Sequence, residues 1–164
     1  MDALEVDPAL TQRVEGPDRV VVADEGLIES DAGALLRYRR ELGAAGVRVF
    51  ADVKKKHSAH ALTADVSLAD TAEAAEFFLA DGVVVTGTAT GRPADPEEVA
   101  SVAAAVGIPT LVGSGITPDN LARYPSADAF IVGSSVKRDG LWSNPLDPAR
   151  LEALVRAFGA LSRG

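Results

Sequence analysis

Short runs of β-branched residues alternate with helical patterns along most of the chain. The runs are rich in valine and are bounded by glycine, proline or charged residues, as is typical of strands. They occupy residues 19–23, 47–53, 82–86, 110–113 and 129–133. The pattern therefore predicts five strands with helices between them.

The predicted helices begin at residues suited to that position. Asp95 is followed by Pro96 and two glutamates, which supply a cap, a proline at the first helical position and acidic side chains near the positive helix end. Similar start signals occur at Asp31, Ser67, Thr117-Pro118 and Asp147-Pro148. Strands that alternate with such helices predict parallel βαβ units with right-handed crossovers.

Two α/β architectures fit this order: an open, doubly wound sheet of five strands, or part of a (βα)8 barrel of the TIM-barrel type. The strand at residues 47–53 distinguishes the two architectures, because its odd-numbered positions are apolar and its even-numbered positions carry Arg48, Asp52 and, just beyond, Lys54. In an open sheet a helix would cover the charged parity, at a cost of several kcal/mol per unpaired ion. We therefore predict an incomplete barrel of about five parallel strands, equivalent to strands four to eight, with the open sheet as the alternative.

The length of 164 residues fits one domain, with a polar segment at residues 1–18 and the partial barrel at residues 19–164. A full barrel needs about 250 residues, so the open edges predict a partner: a homo-oligomer, or a separate chain with the missing N-terminal half-barrel. The chain has no apolar run of spanning length and begins with an acidic segment unlike a signal peptide. We therefore expect a cytoplasmic protein.

Composition excludes several function classes. The net charge of −8, without a basic stripe, argues against nucleic acid and anionic membranes as partners. The absence of cysteine excludes disulfides, zinc ribbons and iron–sulfur clusters, and two histidines do not build a histidine-rich metal site. No cofactor is predicted, although a divalent cation could accompany a phosphate group. Arginine exceeds lysine and aspartate exceeds glutamate, as in halophilic proteins with acidic, hydrated surfaces.

Two glycine-serine turns follow the last two predicted strands. The first is Gly113-Ser114-Gly115, and the second is Gly133-Ser134-Ser135 with Lys137 beside it. Glycines let backbone N–H groups approach a ligand closely, and barrels commonly bind phosphate after their last two strands. The alternative is that both are ordinary turns, where glycine and serine are common. The paired turns favour a phosphate site.

A second candidate cluster follows the strand at residues 47–53. Asp52 is placed to act as a general base, and Lys54 and Lys56 share its side of an extended chain. Lys56 could stabilise developing charge, and His57 could move protons near neutral pH. The alternative is a solvated loop, where most lysine runs belong. Because lysine is scarce elsewhere, we assign these four residues to catalysis.

Hydroxyls and glycines also follow the strand at residues 82–86. Thr86, Gly87, Thr90 and Gly91 could hold a sugar or a carboxylate, and Glu25 after the first strand is predicted at the same rim. The alternative for this segment is a flexible polar loop. We include all five residues as candidate substrate-binding positions.

Taken together, these motifs resemble the BtpA family of TIM-barrel proteins. The resemblance covers about residues 19 to 160 and rests on these segments: Leu36-Arg37-Tyr38-Arg39, Ala51-Asp52-Val53, Lys56-His57, Val85-Thr86-Gly87, Thr90-Gly91, Leu111-Val112-Gly113-Ser114-Gly115, Asn120, Ile131-Val132-Gly133-Ser134, Lys137 and Asp139-Gly140. It implies a ribulose-phosphate-binding-like barrel, related in shape to phosphoribosylanthranilate isomerase. Family members carry about three more βα units at the N-terminus, where this chain has residues 1–18.

The resemblance implies a fold rather than a reaction, because one fold hosts many activities. Our leading hypothesis is an isomerase- or lyase-type enzyme acting on a phosphorylated, sugar-like small molecule. The alternatives are a non-catalytic assembly factor, since some BtpA-family members are implicated in photosystem I assembly, and an inactive truncated remnant.

Overall fold

The structure, a computed structural model of the chain, describes residues 20–23, 26–29, 31–53, 58–59, 65–87 and 91–161. Within these residues the strands are β1 (Val20–Ala23), β2 (Gly26–Glu29), β3 (Phe50–Asp52), β4 (Ser58–Ala59), β5 (Gly82–Val85), β6 (Thr110–Val112) and β7 (Ala129–Phe130). The α-helices are α1 (Ala32–Glu41), α2 (Leu68–Phe77), α3 (Pro96–Ala105) and α4 (Pro148–Leu161). Short 3-10 turns occupy Leu121–Arg123, Ser134–Val136 and Arg138–Gly140.

Four strands form a parallel sheet in the order β3-β5-β6-β7. The order follows the chain without reversal, whereas a doubly wound sheet reverses at a switch point. Helices α2 and α3 supply the first two crossovers, as a barrel wall requires. The α/β fold of an incomplete TIM-type barrel is therefore confirmed.

The first predicted strand does not belong to this sheet, which corrects the expected five parallel strands to four within the described residues. Strand β1 pairs antiparallel with β2 and with β4 in a separate three-stranded sheet. Only residues 24–25 separate β1 from β2, and a parallel crossover needs about a dozen residues or more. The chain must therefore turn back on itself at this point.

The core lies between the parallel sheet and its helices. Ala51, Val53, Val83 and Val85 are buried with the inner faces of α2 and α3. The β3 side chains that point to the other face are less buried than Ala51, since Phe50 is exposed and Asp52 is half-buried. This alternation is the one that the sequence predicted for a barrel strand with its apolar parity toward the helices.

The cap signals identify four helix starts correctly. The side chains of Asp31, Ser67, Asp95 and Asp147 each accept a hydrogen bond from a backbone N–H in the first turn of α1, α2, α3 and α4. The expected helix after Thr117-Pro118 is only a 3-10 turn, because Pro125 follows closely and a helix cannot continue through a proline. Within the described residues, no helix combines the length and apolarity needed to cross a membrane.

One carboxylate joins α1 to the start of the parallel sheet. Asp81 accepts hydrogen bonds from Arg39 Nη1 at 2.8 Å, Arg48 Nη1 at 2.9 Å and the Val49 backbone N–H at 2.8 Å. Its side chain is only 17% exposed. Burial raises the pKa of Asp81, but the hydrogen bonds from Val49, Arg48 and Arg39 outweigh it and hold that pKa below its usual range.

We expect Asp81→Asn to destabilise the fold by about 1–3 kcal/mol at neutral pH, because an amide loses the charge-assisted bonds. A carboxylate whose pKa is lowered in the folded state stabilises the fold at pH values above its unfolded-state pKa of about 3.9. This contribution is lost as the pH falls through the folded-state pKa. Urea denaturation at several pH values measures the contribution as a change in the free energy of unfolding. The difference between wild type and variant should shrink below about pH 4.

Asp119→Asn is the matched control, because Asp119 is exposed. It should change the free energy of unfolding by less than about 0.5 kcal/mol. Equal effects of the two substitutions, or a difference for Asp81→Asn that does not depend on pH, would show that Asp81 does not hold α1 to the sheet.

Candidate functional site

A cleft of about 370 Å³ opens between the loops that follow β6 and β7. Its lining residues are Gly91, Gly113, Ser114, Gly115, Ile116, Thr117, Ile131, Gly133, Ser134, Ser135 and Gly140. Both predicted glycine-serine turns therefore contribute to one concave surface. Gly91, predicted as substrate-binding, lines the same cleft.

The two turns meet because β6 and β7 are parallel neighbours with Leu111 opposite Ala129. Parallel strands bring their carboxyl ends to the same edge of a sheet, so the loops that follow them lie side by side. Among the described residues, none accepts a hydrogen bond from the backbone N–H of Gly115, Ser134 or Ser135. These three donors remain available to a ligand.

The serine hydroxyls in the cleft hold the loops together. Ser114 Oγ accepts a bond from the Gly87 N–H at 2.6 Å and donates to the Arg92 carbonyl at 2.7 Å. Ser135 Oγ donates to the Ile116 carbonyl at 2.6 Å. A ligand in the cleft would therefore meet the backbone of Ser114 and Ser135 rather than their hydroxyl groups.

Three glycines near the cleft are required by close packing. A Cβ at Gly87 would lie 2.3 Å from the Arg92 carbonyl oxygen, and one at Gly113 would lie 2.6 Å from Val84 Cγ1. Gly115 has φ +66° and would place a Cβ 2.3 Å from the backbone nitrogen of Pro93. Packing therefore explains these three without any ligand.

Gly133 differs from them. A Cβ at this position meets no heavy atom within 4 Å. Neighbouring atoms therefore do not exclude a side chain at Gly133, which lines the cleft. A larger side chain there would occupy the space that a ligand needs.

Lys137 lies after the second turn but is not among the lining residues. Its ammonium group donates to the Trp142 carbonyl oxygen, and its backbone pairs with Leu146 in an isolated antiparallel bridge. The bridge closes a short excursion of the chain that brings Gly140 to the cleft. The predicted phosphate contact of Lys137 stays a prediction.

Asp52 is the last residue of β3, which lies at the opposite edge of the parallel sheet from β7 and the cleft. It is half-buried and lies opposite Val84 of β5, which lies opposite Leu111 of β6. Strands are about 4.8 Å apart, so two strand spacings, roughly 10 Å, separate Asp52 from β6. Thr86 and Gly87, after β5, are buried between these two positions.

Several predicted site residues fall outside the described part of the chain: Lys54, Lys56 and His57 of the catalytic set, and Glu25 and Thr90 of the substrate-binding set. Residues 1–18, expected as a polar segment, also fall outside it. Among the described residues, no group of three or more histidine, aspartate or glutamate side chains is arranged to hold a metal ion.

Sequence reasoning missed four lining residues: Ile116, Thr117, Ile131 and Gly140. Ile131 follows β7 directly, and residues 116–117 follow the first glycine-serine turn. Their closeness in sequence to the predicted turns was the signal that could have identified them as lining residues. Gly140 has no such signal, because it reaches the cleft only through the excursion closed by the Lys137 bridge.

Comparison with known proteins supports the resemblance that the motifs indicated. A family model described as the BtpA family matches residues 6–160. An uncharacterized mitochondrial protein of Caenorhabditis elegans is 46% identical over 151 residues, which are 92% of this chain and 54% of that protein. The photosystem I biogenesis protein BtpA of Synechocystis is 41% identical over 141 residues, covering 85% of this chain and 48% of that protein.

A solved structure described as native KDPGal gives a TM-score of 0.53 at 20% sequence identity, covering 77% of this chain and 54% of that chain. At this identity the likeness concerns the fold alone. The chain spans about half the length of the curated relatives it matches. The family match over most of the chain, together with relatives above 40% identity, establishes that this chain belongs to the BtpA family.

Proposed function

We propose that the chain binds the phosphate group of a sugar-like small molecule and contributes to an isomerase- or lyase-type reaction. The observation that carries this proposal is the cleft between two glycine-serine turns, whose Gly115, Ser134 and Ser135 N–H groups have no acceptor among the described residues. Convergent backbone N–H groups are well suited to the oxygens of a phosphate.

The charge distribution supports an anionic ligand at this place. The chain contains 24 aspartate and glutamate residues, and its net charge of −8 repels anions in general. Among the described residues that line the cleft, none is acidic. A phosphate in the cleft would therefore meet partial positive charges on the turns and no carboxylate from this part of the chain.

The catalytic part of the proposal rests on Asp52. Its separation of roughly 10 Å from β6 is comparable to the length of a sugar phosphate, so the phosphate could lie at the turns while a carbon of the sugar lies near the carboxylate. In this reaction Asp52 removes a proton from carbon next to a carbonyl. Lys56 stabilises the negative charge on the resulting enolate, with Lys54 and His57 as further proton-handling groups.

A second candidate function is assistance in protein assembly, which the name of the Synechocystis relative favours. The C. elegans relative is at least as similar, and animals have no photosystem. A photosystem role would therefore be confined to photosynthetic hosts, whereas a small-molecule activity suits both kinds of host. This contrast supports the enzyme as the leading proposal.

Gly133→Val should weaken the binding of sugar phosphates by at least about tenfold, because the added side chain takes up space at the cleft and no neighbouring heavy atom lies within 4 Å of its Cβ. Isothermal titration calorimetry with a panel of sugar phosphates, in concentrated salt, measures the affinity. Gly46→Val is the matched control, since Gly46 also has open space around its Cα and lies far along the chain from the turns. Failure of the wild type to bind any phosphate ester would refute the proposal, and so would equal binding by both variants.

Asp52→Asn should retain phosphate binding and lose proton transfer by about 10²–10⁴-fold. Nuclear magnetic resonance in D₂O follows this directly, as exchange of the hydrogen next to the substrate carbonyl for deuterium. Asp95→Asn is the control, since Asp95 caps α3 away from β3. Undiminished exchange in the Asp52 variant would remove Asp52 from the mechanism and leave the phosphate site intact.

A further inference from the structure

The helices at the two ends of the parallel sheet differ from those in its middle. Within the described residues, α2 and α3 each bury at least two side chains, including Ala72, Ala75, Val99 and Val102. Helices α1 and α4, which flank the sheet, bury none. Among the described residues, the middle of the sheet is therefore covered as in a barrel wall, whereas each end strand has a strand neighbour on one side only.

Apolar side chains are exposed at both ends. On α4, Val155 is 62% exposed and Phe158 is also exposed, and they line an apolar groove of about 310 Å³ beside β7. At the other end Leu42, directly after α1, is 62% exposed, and Tyr38 one turn earlier is exposed as well. Strands β3 and β7 each have only one strand neighbour among the described residues. Such edges and patches are typical of interfaces.

We propose that a second copy of this chain closes the barrel. Four parallel strands are half of the eight that a TIM barrel needs. A twofold axis along the barrel would place β7 of each chain beside β3 of the other, and rotation about that axis keeps all eight strands parallel. Both seams are then identical, which closes the assembly as a dimer.

The two ends both expose apolar side chains. Across each seam of the proposed dimer, Tyr38 and Leu42 of one chain would face the groove between α4 and β7 of the second copy. A dimer of this chain would bring together eight parallel strands, the number that a TIM barrel contains.

Closure also affects the candidate site. The cleft follows β6 and β7, and the partner's β3 would lie next to β7. Asp52 of the partner subunit would then end the strand adjacent to the cleft, about one strand spacing from β7. The dimer therefore supplies the wall that the isolated cleft lacks, and this inference stands independently of whether the cleft binds phosphate.

Light scattering after size exclusion in concentrated salt tests the assembly, because salt screens the repulsion between two chains of charge −8. We expect a mass twice the 16.9 kDa of one chain. Val155→Asp and Leu42→Asp should each raise the dimer dissociation constant by about a hundredfold or more, since a charge enters both apolar seams. Phe77→Asp is the control, because Phe77 is 79% exposed on α2, away from both ends.

Circular dichroism should show that each variant stays folded, since all three positions are exposed. A monomeric wild type would overturn the proposal and would favour a separate half-barrel chain as the partner. A dimer sensitive to Val155→Asp but not to Leu42→Asp would overturn it in favour of direct pairing between two α4 helices. A dimer unaffected by both, or equally disrupted by Phe77→Asp, would place the interface elsewhere.

Discussion

The candidate site depends on the parallel pairing of β5, β6 and β7. Parallel strands end at one edge, so the loops after them must share that edge, and each loop's position is fixed by backbone hydrogen bonds inside the sheet. The buried hydroxyl of Ser114 then joins the loop after β6 to Gly87 and Arg92, which follow β5. The cleft is thus lined by loops that the sheet and the hydrogen bonds of Ser114 hold in place.

Close backbone packing around Ser114 has a second consequence. Gly87, Gly113 and Gly115 are glycines because neighbouring atoms leave no space for a Cβ. These glycines let three loops pack together, and the N–H of Gly115 has no acceptor among the described residues. Gly133 differs from them, because a Cβ there would meet no heavy atom within 4 Å.

Much of the fold could be predicted from the sequence because local chemistry determines it. The capping residues identified the starts of α1, α2, α3 and α4, and the alternation in β3 correctly indicated a barrel wall. The pairing of β1 was missed because no strand was predicted at residues 26–29, whose closeness to β1 requires an antiparallel pair. The helix expected after Pro118 failed because Pro125 ends it after one turn.

The site was predicted in part for similar reasons. Both glycine-serine turns were identified because turn residues at adjacent strand ends converge in any parallel sheet. The anchoring roles of Ser114 and Ser135, and the arrival of Gly140, depend on long-range contacts that spacing does not reveal.

Phosphate binding by the unpaired amides of the two turns is best measured on two-dimensional amide spectra of the ¹⁵N-labelled protein, recorded during titration with a sugar phosphate. We expect the largest saturable shifts at Gly115, Ser134 and Ser135, with little change at Gly46. Shifts that are absent, or that are centred on residues away from the cleft, would show that the turns do not bind phosphate.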